Sequence, residues 1–111
     1  MLLLACVTAL QAQEIKTSQQ LCADGQSRPY VVYTPTKPNP KTKPLLVFLH
    51  GAVASPQVNA NPEGYARKSP LVQLAEAADC YLLFCFGQKG ATWFDAVGQH
   101  MVMDEINAVK Q

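Results

Sequence analysis

Short, wholly apolar runs separated by longer polar stretches set the elements this chain is predicted to form. Leu45-Leu46-Val47-Phe48-Leu49 and Cys80-Tyr81-Leu82-Leu83-Phe84-Cys85-Phe86 are continuous rather than alternating in hydrophobicity. Continuity at strand length implies burial on both faces, as in the central strands of a parallel sheet. Between them Leu71, Leu74, Ala75 and Ala78 recur at i, i+3, i+4 and i+7, the apolar stripe of one helix. Ser69-Pro70 supplies its N-cap and first position, and Asp79 or Cys80 ends it. A strand–helix–strand crossover is therefore predicted. A second helix is predicted from Ala96, with Met101, Val102, Ile106 and Val109 on one side and His100, Asp104 and Asn107 on the other; it is still running at Gln111.

Upstream the signals are weaker. Residues 28–34 form a strand candidate through Tyr30, Val31, Val32 and Tyr33, and Pro29, which lacks a donor, pushes it toward a sheet edge. Residues 35–44 hold four prolines and three lysines and read as a solvated loop. Residues 13–27 are polar and without period, a leader that pairs loosely with the first strand. The stretch after Leu49, with Pro56, Asn59, Asn61, Pro62 and Gly64, reads as loop up to Ser69.

At the N-terminus, an apolar run from Leu2 to Leu10 followed by Gln11-Ala12 and polar sequence reads as a secretory signal cleaved after Ala12. This predicts a secreted or periplasmic protein; the alternative is a lipid anchor through Cys6. The run is far shorter than the roughly 20 residues a membrane span needs, and none later reaches that length.

Composition narrows the classes. With 111 residues, 49% hydrophobic and 15% charged, the chain is globular and at most one small domain. A net charge of +1 without a basic stripe gives no footprint for nucleic acid. Of four cysteines, Cys6 would leave with the signal. Cys80 and Cys85 on one extended strand stand about 16 Å apart, too far for a disulfide. Cys22 either joins one of them in an oxidising compartment or finds its partner in further sequence; the simpler reading makes both strand cysteines buried small hydrophobes. No Cys/His spacing matches a metal site.

In an open parallel sheet, ligands bind beyond the carboxyl ends of the strands, where successive loops converge. The loops starting at His50-Gly51-Ala52-Val53 and at Gly87-Gln88-Lys89-Gly90 leave on the same side, and Gly51 permits a close backbone approach. Amides of Ala52 and Val53 turned into that crevice suit an oxyanion. Trp93 either walls the crevice or caps the core beneath the loop. His100 and Asp104, an i, i+4 pair on the polar helix face, carry no role.

The apolar strand ending in Phe48-Leu49-His50-Gly51-Ala52 resembles the oxyanion loop of α/β-hydrolases, and the order of elements that follows is similar to that family. The pattern looks most like the secreted esterase and prolyl-oligopeptidase-like branch that includes polyhydroxybutyrate depolymerases and feruloyl esterases, over the chain from about Arg28 onward. The resemblance implies a partial α/β-hydrolase fold: a mostly parallel sheet with flanking helices, cut before the nucleophile elbow. Residues 1–12 would be signal, 13–27 leader and 28–111 the N-terminal part of the hydrolase domain. It also implies that Ala52 or Val53 donates one oxyanion hydrogen bond, that His50 and Gly51 support the loop, and that the substrate is a carboxylic ester or a peptide, small or polymeric. No cofactor or metal is implied. No G-x-S-x-G is present, and Ser18, Ser27, Ser55 and Ser69 lack the strand-to-helix elbow that exposes a nucleophile. The catalytic serine, acid and histidine thus lie outside this sequence, and the chain alone is expected to be inactive. Two other classes remain: a non-catalytic exported binding module using the His50 and Trp93 crevice, and a nucleotide-binding α/β domain, disfavoured because neither G-x-G-x-x-G nor a P-loop occurs.

Overall fold

The computed structural model describes residues 14–38, 42–51 and 55–110. Residues 1–12, with the expected signal and Cys6, lie outside them. The elements in order are β1 (Ile15–Leu21), β2 (Ser27–Tyr33), β3 (Leu45–Leu49), α1 (Ser55–Ala60), α2 (Pro62–Lys68), α3 (Leu71–Ala78), β4 (Tyr81–Cys85) and α4 (Ala96–Lys110). The four strands form one sheet in the order β1-β2-β4-β3.

The sheet is mixed rather than mostly parallel. Only β3 and β4 run parallel, in the register Val47 to Leu83 and Leu49 to Cys85, whereas β1 pairs β2 and β2 pairs β4 antiparallel. The parallel pair is the predicted crossover, which reaches β4 through α3. The expected leader contains a full strand, since β1 pairs β2 from Ile15–Tyr33 to Leu21–Ser27. Its hairpin turns at Gly25, whose φ of 81° is readily adopted only by a residue without Cβ. With β1 outside it, β2 is interior rather than an edge. Pro29 is tolerated because the β2–β4 ladder begins one residue later, at Tyr30.

Alternation along the strands separates two faces. Val31 and Tyr33 of β2 and Leu82 and Phe84 of β4 point one way and, with Phe86, form a core with Val58, Ala66 and Ala75 of the three consecutive helices α1 to α3. Phe48 extends it from β3 with an edge-on contact to Phe84, ring centres 5.9 Å apart. Leu83 and Cys85 point the other way, toward α4, where Gly98, Met101 and Glu105 are buried. The molecule is thus a small α/β/α sandwich.

Two of the helices replace what reads as loop in the sequence. In α2, Asn61 caps the Gly64 amide through its side chain, Pro62 opens the helix, and Arg67 and Lys68 close it at the negative end of the dipole. Helix α3 begins at Leu71, whose N–H donates to Ser69 Oγ, and ends at Asp79 in the left-handed region. Cys22, Cys80 and Cys85 are all free and buried. β3 does not lie in the centre of the sheet as its apolar run predicts: it occupies the edge, with Leu46, Val47 and Leu49 each about 40% exposed.

Candidate functional site

At the carboxyl ends of the parallel pair, hydrogen bonds join the loops that follow β3 and β4. His50, the first residue after β3, is buried. Its Nε2 accepts the N–H of Gly87 at 3.0 Å, and its Nδ1 lies 3.0 Å from the carbonyl of Gly51. The first partner can only donate and the second can only accept, so Nδ1 carries the proton and the Nε2 lone pair is occupied. Trp93 completes the tie: its indole N–H donates to the His50 carbonyl at 2.9 Å and its ring meets the imidazole edge-on, centres 5.1 Å apart. Half-buried, Trp93 packs on one loop while belonging to the other. The sequence leaves open whether it is wall or cap, and its geometry allows both.

The second loop is held from every side. Lys89 and Gly90 both have positive φ, 55° and 86°, at the centre of a turn closed by Ala91 N–H on Gln88 O. Asn59 of α1 donates to the Gly87 carbonyl at 2.8 Å. From the hairpin, Arg28 donates to the carbonyls of Gln88 and Lys89, both at 2.7 Å, while its guanidinium forks onto the Asp24 carboxylate at 3.0 and 2.7 Å. Arg28 is fully buried. The Arg28 partner holds the Asp24 carboxyl at about 2, well below its ordinary value.

Asp95 then turns the chain into α4. Its carboxylate accepts from the Gly98 amide at 2.7 Å and from the Thr92 amide and hydroxyl, both at 2.8 Å. Those bonds, the Gly98 amide first, lower its pKa. A Cβ on Gly98 would fall 1.6 Å from the Thr92 carbonyl oxygen, so only glycine fits under this cap. Phe94, between Trp93 and Asp95, is 91% exposed.

The predicted site residues therefore separate. His50, Gly51 and Trp93 come together in one hydrogen-bonded cluster. Ala52 and Val53, the expected oxyanion donors, lie outside the described residues. His100 is exposed on α4. Sequence reading misses Arg28, Asn59 and Asp95. The Asp95 cap could have been read from an Asp just before a predicted helix, whereas Arg28 carries no such signal for the loop it holds, since beyond its local pair with Asp24 it bonds backbone carbonyls sixty residues away. Among the described residues no group of His, Cys, Asp or Glu could hold a metal ion, and no helix is long and apolar enough to cross a membrane.

The sequence matches no protein-family profile and no curated protein. Among solved structures, the fold is similar to that of a thermostable esterase, with a TM-score of 0.52 and 20% sequence identity. The match covers 91% of this chain but 30% of the esterase, so the chain spans about a third of that enzyme's length. The chain is a small α/β unit with a mixed sheet and flanking helices that shares its architecture with part of an esterase.

Proposed function

We propose that this chain is the N-terminal part of an exported serine hydrolase that cleaves carboxylic ester or peptide bonds, with its nucleophile, acid and histidine supplied by sequence beyond Gln111. The observation that carries this reading is the tie between the loops after β3 and β4, built on His50, Gly87 and Trp93 at the carboxyl ends of the parallel strands of an esterase-like fold. In this reading His50 is a positioning residue. With both ring nitrogens engaged, it fixes where the chain after Gly51 emerges, and the amides of Ala52 and Val53 are presented to the oxyanion of a tetrahedral intermediate. Trp93 and Phe94 flank the acyl or alcohol side of the substrate. The exposed apolar residues of β3 are then covered by the strand that bears the nucleophile.

The test is to express the chain together with the coding sequence that follows Gln111 in its gene and to assay p-nitrophenyl butyrate hydrolysis. We expect a G-x-S-x-G after the next apolar strand, activity abolished by a serine-directed phosphonate, and none from residues 1–111 alone. A stop codon directly after Gln111 in the gene would overturn the proposal, as would a longer product without the elbow motif.

A further inference from the structure

Three consecutive carbonyls, those of Gly87, Gln88 and Lys89, accept hydrogen bonds from side chains: the first from Asn59 and the other two from Arg28. This is where β4 leaves the sheet. Its ladder with β2 ends at the Tyr30–Cys85 pair, and the preceding residue of β2, Pro29, has no N–H to offer. The guanidinium of Arg28 supplies donors beyond that point. Nε reaches the Gln88 carbonyl and Nη2 the Lys89 carbonyl, while Nη1 and Nη2 fork onto the Asp24 carboxylate. One planar group thus meets two carbonyls and its counter-ion. Arg28 is fully buried, so the pairing with Asp24 also keeps its charge from standing alone in the interior. Within the turn so held, Lys89 has φ 55°, a conformation that a residue with a Cβ keeps only when its surroundings impose it.

We infer that Arg28 is a positioning residue that sets the tautomer of His50 from the β1–β2 hairpin. Arg28 places the Gln88 and Lys89 peptides, and Asn59 places the Gly87 carbonyl, which together leave the Gly87 N–H aimed at His50 Nε2. That bond occupies the Nε2 lone pair and keeps the proton on Nδ1, where it is donated to the Gly51 carbonyl. Peptide planarity carries the orientation one step further. The carbonyl and N–H of a trans peptide point opposite ways, so holding the Gly51 carbonyl aims the N–H on the other side of the same bond. In the proposed hydrolase that N–H is an oxyanion donor, and this functional meaning rests on the hydrolase reading. The coupling from Arg28 to His50 does not, and its test contains no substrate, so the two fail separately. Lysine cannot take the place of Arg28, because an ammonium is a point charge without the fork that spans two carbonyls and a carboxylate.

The full chain, labelled with nitrogen-15, is compared with its Arg28→Lys variant by the ring-nitrogen shifts of His50, which report the tautomer, and by the Gly87 amide signal. The parent is expected to hold the His50 proton on Nδ1. In Arg28→Lys the fraction protonated at Nε2 should rise about fivefold, as the loss of one hydrogen bond from the loop allows, and the Gly87 amide signal should move with it. Leu83→Ala, a core truncation on β4 that leaves these hydrogen bonds intact, controls for lost stability and should leave both signals in place. If Arg28→Lys loses the dispersed spectrum of a folded chain, Asp24→Ala carries the test: it frees the outer fork of the guanidinium at the partly exposed end of the pair, and a shift of about twofold in the same direction is expected. The inference is overturned if the parent carries the His50 proton on Nε2, or if a folded variant keeps the parent's His50 and Gly87 signals. It is equally overturned if Leu83→Ala moves those signals as far as the variant does, since Arg28 would then act on the fold as a whole.

Discussion

β3 and β4 share one apolar signature and lie side by side in parallel, yet their surroundings differ. Every residue of β4 after Tyr81 is buried, between β2 and β3 and between the α1–α3 core and α4. Among the described residues β3 has a single neighbour; Phe48 reaches the core while Leu46, Val47 and Leu49 are partly exposed. Continuous hydrophobicity thus records the environment a strand is suited to, and the structure shows how much of it is present. β4 has all of it. β3 has half, and the exposed half is what the proposed continuation of the chain would cover.

The largest expected effect comes from the same truncation on the two strands. Leu83→Ala on β4 opens a cavity between sheet and α4 and should cost about 3 kcal/mol in urea denaturation. Leu49→Ala on β3 removes a side chain that already meets water and should cost about 1 kcal/mol or less. Equal costs would mean that β3 is covered in solution.

The cover over β4 has a weak point at Glu105, which should show as pH dependence. Its carboxyl is fully buried on α4, and neither oxygen has a hydrogen-bond partner of normal geometry among the described residues. Burial pushes its pKa up to about 8; the Cys85 thiol alongside, a weak donor, lowers it and Asp104 raises it further. The folded pKa lies above the ordinary 4.5, so the stability this group contributes is fully present below that value and is lost as pH rises through the folded pKa. Between about pH 5 and pH 8 the chain should lose about 2 kcal/mol, under the limit of about 1.4 kcal/mol per unit because relaxation and water entry soften the penalty. Glu105→Gln should flatten that slope in denaturation curves taken across the range; an unchanged slope would assign it to another group. A smaller effect tests how α4 is fastened over β4. Asp95→Ala removes the cap at the start of the helix and should cost about 1 kcal/mol, with faster amide exchange confined to its first turn.

How far these layers could be foreseen depends on where their information lies. The crossover from β3 through α3 to β4, and the amphipathic α4, were legible because period and continuity are local properties of the sequence. β1 was not: its polar Lys16, Ser18 and Gln20 hide a strand that the hairpin with β2 defines. The short α1 and α2 were obscured by prolines and asparagines, which also mark loops, although Asn61-Pro62-Glu63 is a helix start. Pro29 pointed to an edge that β1 in fact occupies. Arg28 and Glu105 are buried ionisable groups, and their burial depends on contacts across the fold. At the site, His50 and Trp93 stood out as residues, but the Gly87 amide that gives His50 its bond could not be read from the sequence.

The smallest expected effect sharpens the comparison most. Val47 and Leu83 are register partners on the same face of the sheet, one partly exposed and one buried. Val47→Thr changes a methyl to a hydroxyl at nearly constant shape. In water the hydroxyl is solvated and the change should stay within about 0.5 kcal/mol. Beneath a covering layer the same hydroxyl loses its water and costs about 1–3 kcal/mol unless it finds a partner. The substitution therefore reports whether anything lies over β3. In residues 1–111 alone the denaturation midpoint should hardly move; in the longer product expected from the gene it should fall clearly. A large loss in the short chain would imply self-association through β3, recognisable because the midpoint would then rise with protein concentration. No loss in either would leave β3 a true edge and remove the reason to place the nucleophile strand beside it.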